Sequence, residues 1–278
     1  MYSRSNIGAS LNRKRQASLL KKILVCFVFI LFFISLAVLG LTTDNVRIKN
    51  IIVSGNSSIS IENIMNIAND GIHRYYLWII PTDNIFLLRR SEIKNDILDN
   101  IKKIGSVSIY IDGFDKINIS VVEREVDSLW CTGDVINQKD CYFMDSDGFI
   151  FEEAPQFSLG IFPEYFGLIA EENPIGQFYL KDIFSALGGK NIPGLYNELK
   201  NMSFQPQYFE ALTLHEYEIY ILGGGKIIMN DVKSFESSLI NLQALVSNGY
   251  IKNDTESLKK IKHIDLRFGN KVSFELNK

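Results

Sequence analysis

No Asp or Glu precedes Asp44, and no charge of either sign falls between Lys22 and Asp44. The uncharged stretch includes Ile23 to Leu41, nineteen positions, close to the roughly 20 residues that cross a ~30 Å hydrocarbon core. It is the one run of that kind in the chain, so a single helical span is expected. Six prolines in 278 residues exclude a long stiff stalk, and internal repeats and low-complexity stretches are lacking. Histidine is sparse too. His73, His215 and His263 are far apart, outside any H-E-x-x-H run and with no G-x-S-x-G run nearby, which argues against the hydrolase classes built on those motifs. Gly223-Gly224-Gly225-Lys226 is followed by Ile227 where a phosphate loop needs Ser or Thr. Asp145, Asp147 and Gly148 suggest Ca²⁺, but Phe149 and Ile150 stand where such a loop needs an oxygen ligand and glycine. No catalytic residue, metal, cofactor or small-molecule substrate is therefore expected.

Before the run lie Arg4, Arg13, Lys14, Arg15, Lys21 and Lys22. The excess of cations on that side predicts a cytoplasmic N-terminus, with the rest of the chain outside: a cell-membrane protein with one span. Residues 1–22, rich in Ser, Asn and Arg, cannot form a core and are expected to be disordered. Ser35-Leu36-Ala37 is a passable cleavage site, so a signal peptide is the competing reading of the same segment. With six of the 29 cations and none of the 32 acidic residues before the run, the remainder carries a formal charge of about −9. Nucleic acid is a poor partner for such a surface, which leaves proteins.

The external part is long enough for two domains of the usual ~100 to 150 residues. Residues 46–124 read as the first. Ile48 to Val53 is β-branched and stops at Ser54-Gly55-Asn56, a strand and a turn. Ile61, Ile64, Met65 and Ala68 then follow helical spacing behind Ser58 and Ser60, up to Gly71. A second helix is expected from an N-cap at Ser91, with Ile93, Ile97, Ile101 and Ile104 as its stripe and Gly105 as its end. Val107, Ile109 and Ile111 alternate, Asp112-Gly113 turns the chain, and Ile117, Ile119 and Val121 alternate again. The predicted order is β-α-α-β-β.

Residues 125–278 read as a mostly antiparallel β domain with a few helices, making the chain α+β. The runs Glu216 to Leu222 and Lys226 to Met229 flank the triple glycine as a hairpin. Phe235, Leu239, Leu242 and Val246 mark a helix ending at Asn248-Gly249. Ile264 to Phe268 and Lys271 to Leu276 are strand-like, and a late strand readily forms a sheet edge to which another chain can add. The competing reading makes it a closing strand with Asp265 and Arg267 paired internally. Cys26 lies within the apolar run, whereas Cys131 and Cys141, with nine residues between them, are candidates for a disulfide across a hairpin, with two buried thiols as the alternative.

The β-α-α-β-β order with Ile51-Ile52-Val53-Ser54-Gly55-Asn56 resembles the polypeptide-transport-associated (POTRA) domain. The following Val121-Val122-Glu123-Arg124-Glu125, Leu129-Trp130 and Tyr142 to Phe151 resemble the V-x-E-R-x-P-x-A-x-W stretch and D-x-x-G hairpin of the bacterial cell-division proteins FtsQ and DivIB, with Val126 and Ser128 in place of the usual Pro and Ala. His263 to Phe268 is similar to that family's late I-D-L-R/M-R strand. The resemblance implies a noncatalytic single-span scaffold of the divisome at the septum, controlling cell-wall synthesis, with partners of the FtsB and FtsL type. Arg267, Phe268, Lys271, Val272, Ser273 and Phe274 would line the contact. An anchored POTRA dock in secretion or outer-membrane biogenesis is the alternative.

Overall fold

A computed structural model describes residues 5–41, 43–73, 75–76, 80–133, 140–156, 160–169, 173–181, 192–230, 235–252, 254–268 and 271–277. The fold is α+β, with one N-terminal apolar helix and two compact units, Met1–Val122 and Glu123–Lys278. Helix α1, Ser5–Leu41, is continuous. Its part Leu19–Leu41, 23 residues or about 35 Å, is long and apolar enough to cross a membrane. The basic segment expected to be disordered is helical from Ser5 onward. Nucleation is the costly step of helix formation, so a long apolar helix extends into a Ser- and Lys-rich neighbour at one hydrogen bond per residue. Arg4 lies outside the described residues.

In the first unit the elements are β1 (Asn50–Ser54), α2 (Ile61–Ile72), β2 (Tyr75–Tyr76), β3 (Ile80–Pro81), α3 (Arg90–Asn100), β4 (Ile104–Asp112) and β5 (Lys116–Glu123). The main sheet has the order β1-β5-β4, with β1 parallel to β5 from Asn50 opposite Lys116 to Ser54 opposite Ser120. Three residues join β4 to β5, too few for anything but an antiparallel pair. Alternation puts Ile117, Ile119 and Val121 of β5 into one core with Ile64 and Ala68 of α2 and Ile93 and Ile97 of α3. Ser60 caps α2, its Oγ accepting from Asn63 N at 3.3 Å. Gly55 has φ +85°, and a Cβ there would stand 2.2 Å from the Val121 carbonyl oxygen, so only glycine lets the chain turn this close to β5.

Three expectations need correcting here. Ser91 is inside α3, and Arg89 occupies the cap position without a side-chain bond to the helix backbone, its guanidinium pairing instead with Glu92. The helix ends at Asn100, so Gly105 lies in β4, and Ile104 is buried from a strand instead of a helix. Isoleucines spaced by three and four satisfy either period over so short a stretch. The irregular region between the helices forms the small antiparallel pair β2–β3.

The second unit contains β6 (Ser128–Cys131), β7 (Cys141–Met144), β8 (Ile150–Glu153), β9 (Glu164–Phe166), α4 (Ile192–Asn201), β10 (Pro206–Thr213), β11 (Glu216–Ile221), β12 (Lys226–Asn230), α5 (Phe235–Ser247), α6 (Thr255–Leu258), β13 (Ile261–Phe268) and β14 (Lys271–Leu276). Nine strands form one sheet in the order β14-β13-β12-β11-β10-β9-β6-β7-β8. The pairs β6–β9, β9–β10 and β12–β13 are parallel and the others antiparallel. The triple-glycine hairpin forms as expected between β11 and β12. Gly223 sits there at φ +95°, where a Cβ would meet the Lys259 backbone at 2.5 Å. Helix α5 stops where read, Gly249 taking φ +73°. Leu242 is buried and Leu239 and Val246 are partly buried against the sheet, whereas the Phe235 side chain lies outside the described residues.

Candidate functional site

The two ends of the nine-stranded sheet are finished differently. At one end β8 pairs with β7, and its outer side is covered by the residues around Gln177. Ile150 N donates to Gln177 O at 2.9 Å, Gly176 N to Ile150 O at 2.8 Å and Tyr179 N to Gly148 O at 2.8 Å. Phe149 and Phe178 bridge across this seam with ring centroids 4.9 Å apart. At the other end β14 pairs with β13 alone, and among the described residues no backbone group binds its outer side. Such a border presents a row of main-chain donors and acceptors to solvent.

The six residues expected to line a contact fall on these two strands in different roles. In β14, Lys271 stands opposite Phe268, Ser273 opposite Asp265 and Phe274 opposite Ile264. Val272 is turned partly inward against the core. Exposed apolar surface gathers along the border, with Phe268 62%, Phe274 36% and Leu276 47% exposed.

Arg267 behaves otherwise. It sits on β13, and its guanidinium donates through Nε and Nη2 to the two Asp265 oxygens at 3.0 and 2.7 Å and through Nη1 to Glu216 on β11. Burial pushes the Asp265 carboxyl up, but the Arg267 side-chain and backbone hydrogen bonds and its charge outweigh that and hold the carboxyl below its ordinary value. The Asp265 hydrogen bond in turn raises Arg267. The arginine ties β13 to β11 from within, the internally paired arrangement that sequence reading left open.

Near the covered end, residues singled out from separate stretches of sequence meet. Arg124 pairs with Asp145, and its guanidinium carbon lies 4.0 Å above the Phe149 ring. Asp145 Oδ1 accepts from Asp147 N at 3.0 Å and Phe149 N at 2.9 Å, closing the Asp-x-x-Gly turn. The carboxylate considered for Ca²⁺ thus holds a turn and an arginine. Sequence reading quoted both residues without pairing them; opposite charges in adjoining motifs were the available signal. Cys131 stands opposite Cys141 in the β6–β7 register, and the two are joined by a disulfide. The residues 134–139 of the intervening loop lie outside the described ones.

Of the remaining chemistry-bearing residues, Lys226 after the triple glycine donates to Glu218 at 2.6 Å, and Ile227 is buried. Among the described residues no three His, Cys, Asp or Glu side chains gather in a way that could hold a metal ion. What the open border can do is main-chain pairing, with Phe268, Phe274 and Leu276 as apolar contacts beside it. Comparison with protein-family models and with curated proteins returns no match to this chain.

Proposed function

We propose that this chain is a noncatalytic membrane-anchored scaffold of the bacterial division complex, which holds partner proteins at the septum and so regulates cell-wall synthesis. The observation that carries the reading is the unpaired outer side of β14 next to exposed Phe268 and Phe274. An extended segment of a small single-span partner of the FtsB type, itself joined to one of the FtsL type, adds there as a tenth strand. Each added main-chain hydrogen bond contributes about 1 kcal/mol net, and the phenylalanines add apolar burial. Lys271, Val272, Ser273 and Phe274 supply the docking strand, Phe268 flanks it, and Arg267 supports it from the rear.

The order of apolar helix, POTRA-like first unit and larger β unit supports the same reading, as do the Val-x-Glu-Arg stretch and the Asp-x-x-Gly turn. The test places photoreactive residues at Phe268 and Phe274 in cells and follows a fluorescent fusion of the chain. Capture of a small single-span protein and a midcell band are expected. Failure to capture such a protein from either position, or fluorescence spread evenly around the envelope, would count against the proposal.

A further inference from the structure

Outside α1, the two most exposed large apolar side chains described in the first unit are Phe86 and Phe114, at 65% and 64%. Their rings lie side by side, tilted at 52° with centroids 6.4 Å apart, so two rings from distant stretches of sequence make one apolar projection. A water-facing pair of this kind is unfavourable unless something apolar meets it.

What it meets follows from how both turns are fastened. Asn84 Nδ2 donates to the carbonyl of Leu41, the last residue of α1, at 2.6 Å. The same side chain accepts from Phe86 N through Oδ1 at 2.8 Å, so one asparagine joins the end of the apolar helix to the backbone carrying the ring. Ile85 N donates to Val46 O at 2.9 Å, Ile48 N to Asp83 O at 2.8 Å, and the Arg47 guanidinium holds buried Asp83 at 2.6 Å. The Phe114 turn is tied to the same segment, Asp115 O accepting from Lys49 N at 2.7 Å and Asn50 N at 3.1 Å. Both rings are therefore anchored to the few residues that leave Leu41, where the apolar run gives way to Thr43 and Asp44.

We infer that Phe86 and Phe114 are a membrane-surface anchor, inserting into the interface of the leaflet from which α1 emerges. The occupant is lipid because the projection is continuous with the segment that crosses the hydrocarbon and is hydrogen-bonded to its last residue. Aromatic rings and phenylalanines of surface-bound segments settle at this depth, between headgroups and acyl chains. Together with α1 this projection gives the first unit a second attachment point, which limits its tilt and sets its height above the bilayer. The inference rests on α1 remaining in the membrane.

The test uses the full chain in vesicles of phosphatidylethanolamine and phosphatidylglycerol, with a photoreactive phenylalanine analogue at 86, at 114 or at 61. Ile61 is also exposed, but it follows the far end of β1. Resistance to alkaline extraction is scored first, and circular dichroism matching the parent shows that each variant is folded. Lipid adducts at 86 and 114 and their loss at 61 are expected. Release of the chain by alkali would overturn the membrane anchor and this inference together. A retained chain with no lipid adducts at 86 and 114, with equal adducts at 61, or with adducts to a second protein copy in place of lipid would overturn the aromatic pair alone.

Discussion

One sheet has two ends that solve the same problem in opposite ways. At β8 the chain returns along the start of the border, hydrogen-bonds the backbone of Gly148 and Ile150 and sets the Phe178 ring edge-on against Phe149; at β14 the border is left to solvent. Natural sheets blunt their edges because an open one pairs with whatever extended chain it meets. A protein that closes one border and leaves the other open, with apolar side chains beside it, has an asymmetry that strand addition can use. The covered border is a matter of stability, and the open one is where the proposed partner would add.

The largest effect that would break this comparison is at the covered end. Phe149→Ala removes a buried ring packed on Phe178 and beneath Arg124, and we expect a loss of about 3 kcal/mol in chemical unfolding of the full chain in detergent. A loss no larger than that from truncating an open-border ring would abolish the distinction. Removing the disulfide with Cys131→Ser and Cys141→Ser is expected to cost about 2 to 3 kcal/mol in the chain-entropy model, read from the shift in unfolding midpoint relative to the oxidised parent.

Arg267→Ala sharpens the comparison from the other side. It strands the carboxylates of Asp265 and Glu216 and is expected to cost about 1 to 3 kcal/mol. Because the Asp265 carboxyl titrates lower in the folded state, its contribution is present at neutral pH and is lost as pH falls from the ordinary carboxylate value through the lowered one. The variant should lose that component of acid sensitivity, and unfolding midpoints measured between neutral and acidic pH will show it. The smallest effect on stability is predicted for Phe268→Ala and Phe274→Ala, each under about 1 kcal/mol because the rings are already partly in water. Partner captured by a photoreactive residue placed instead at exposed Leu276 should nevertheless disappear when the two are combined.

What sequence reading recovered follows the range over which each signal acts. The nineteen uncharged residues, the Ser60 cap and the hairpins at Gly113 and Gly223 are all properties of neighbours, and they appear where read. The isoleucines of 93–104 misled because their spacing suits a helix and the first residue of a strand equally. Strand β9, only three residues long, escaped notice, yet it lies between β6 and β10 and is parallel to both. Helix α4 escaped as well, although its buried Leu195 and Leu199 stand at i and i+4. At the candidate site, Phe268 and Phe274 could be nominated from sequence, whereas the engagement of Arg267 by Glu216, 51 residues away, could not.

The sequence by itself determined an apolar helix at the N-terminus, an acidic remainder, and the alternation that makes each hairpin, since these depend on the order of residues along a few turns of chain. The tertiary structure decided which strand ends the sheet, that Arg124 meets Asp145, and that Asn84 brings Phe86 to the end of α1. Those pairings join residues far apart in the chain, and they are set by which faces can be buried together, a quantity that no local period encodes.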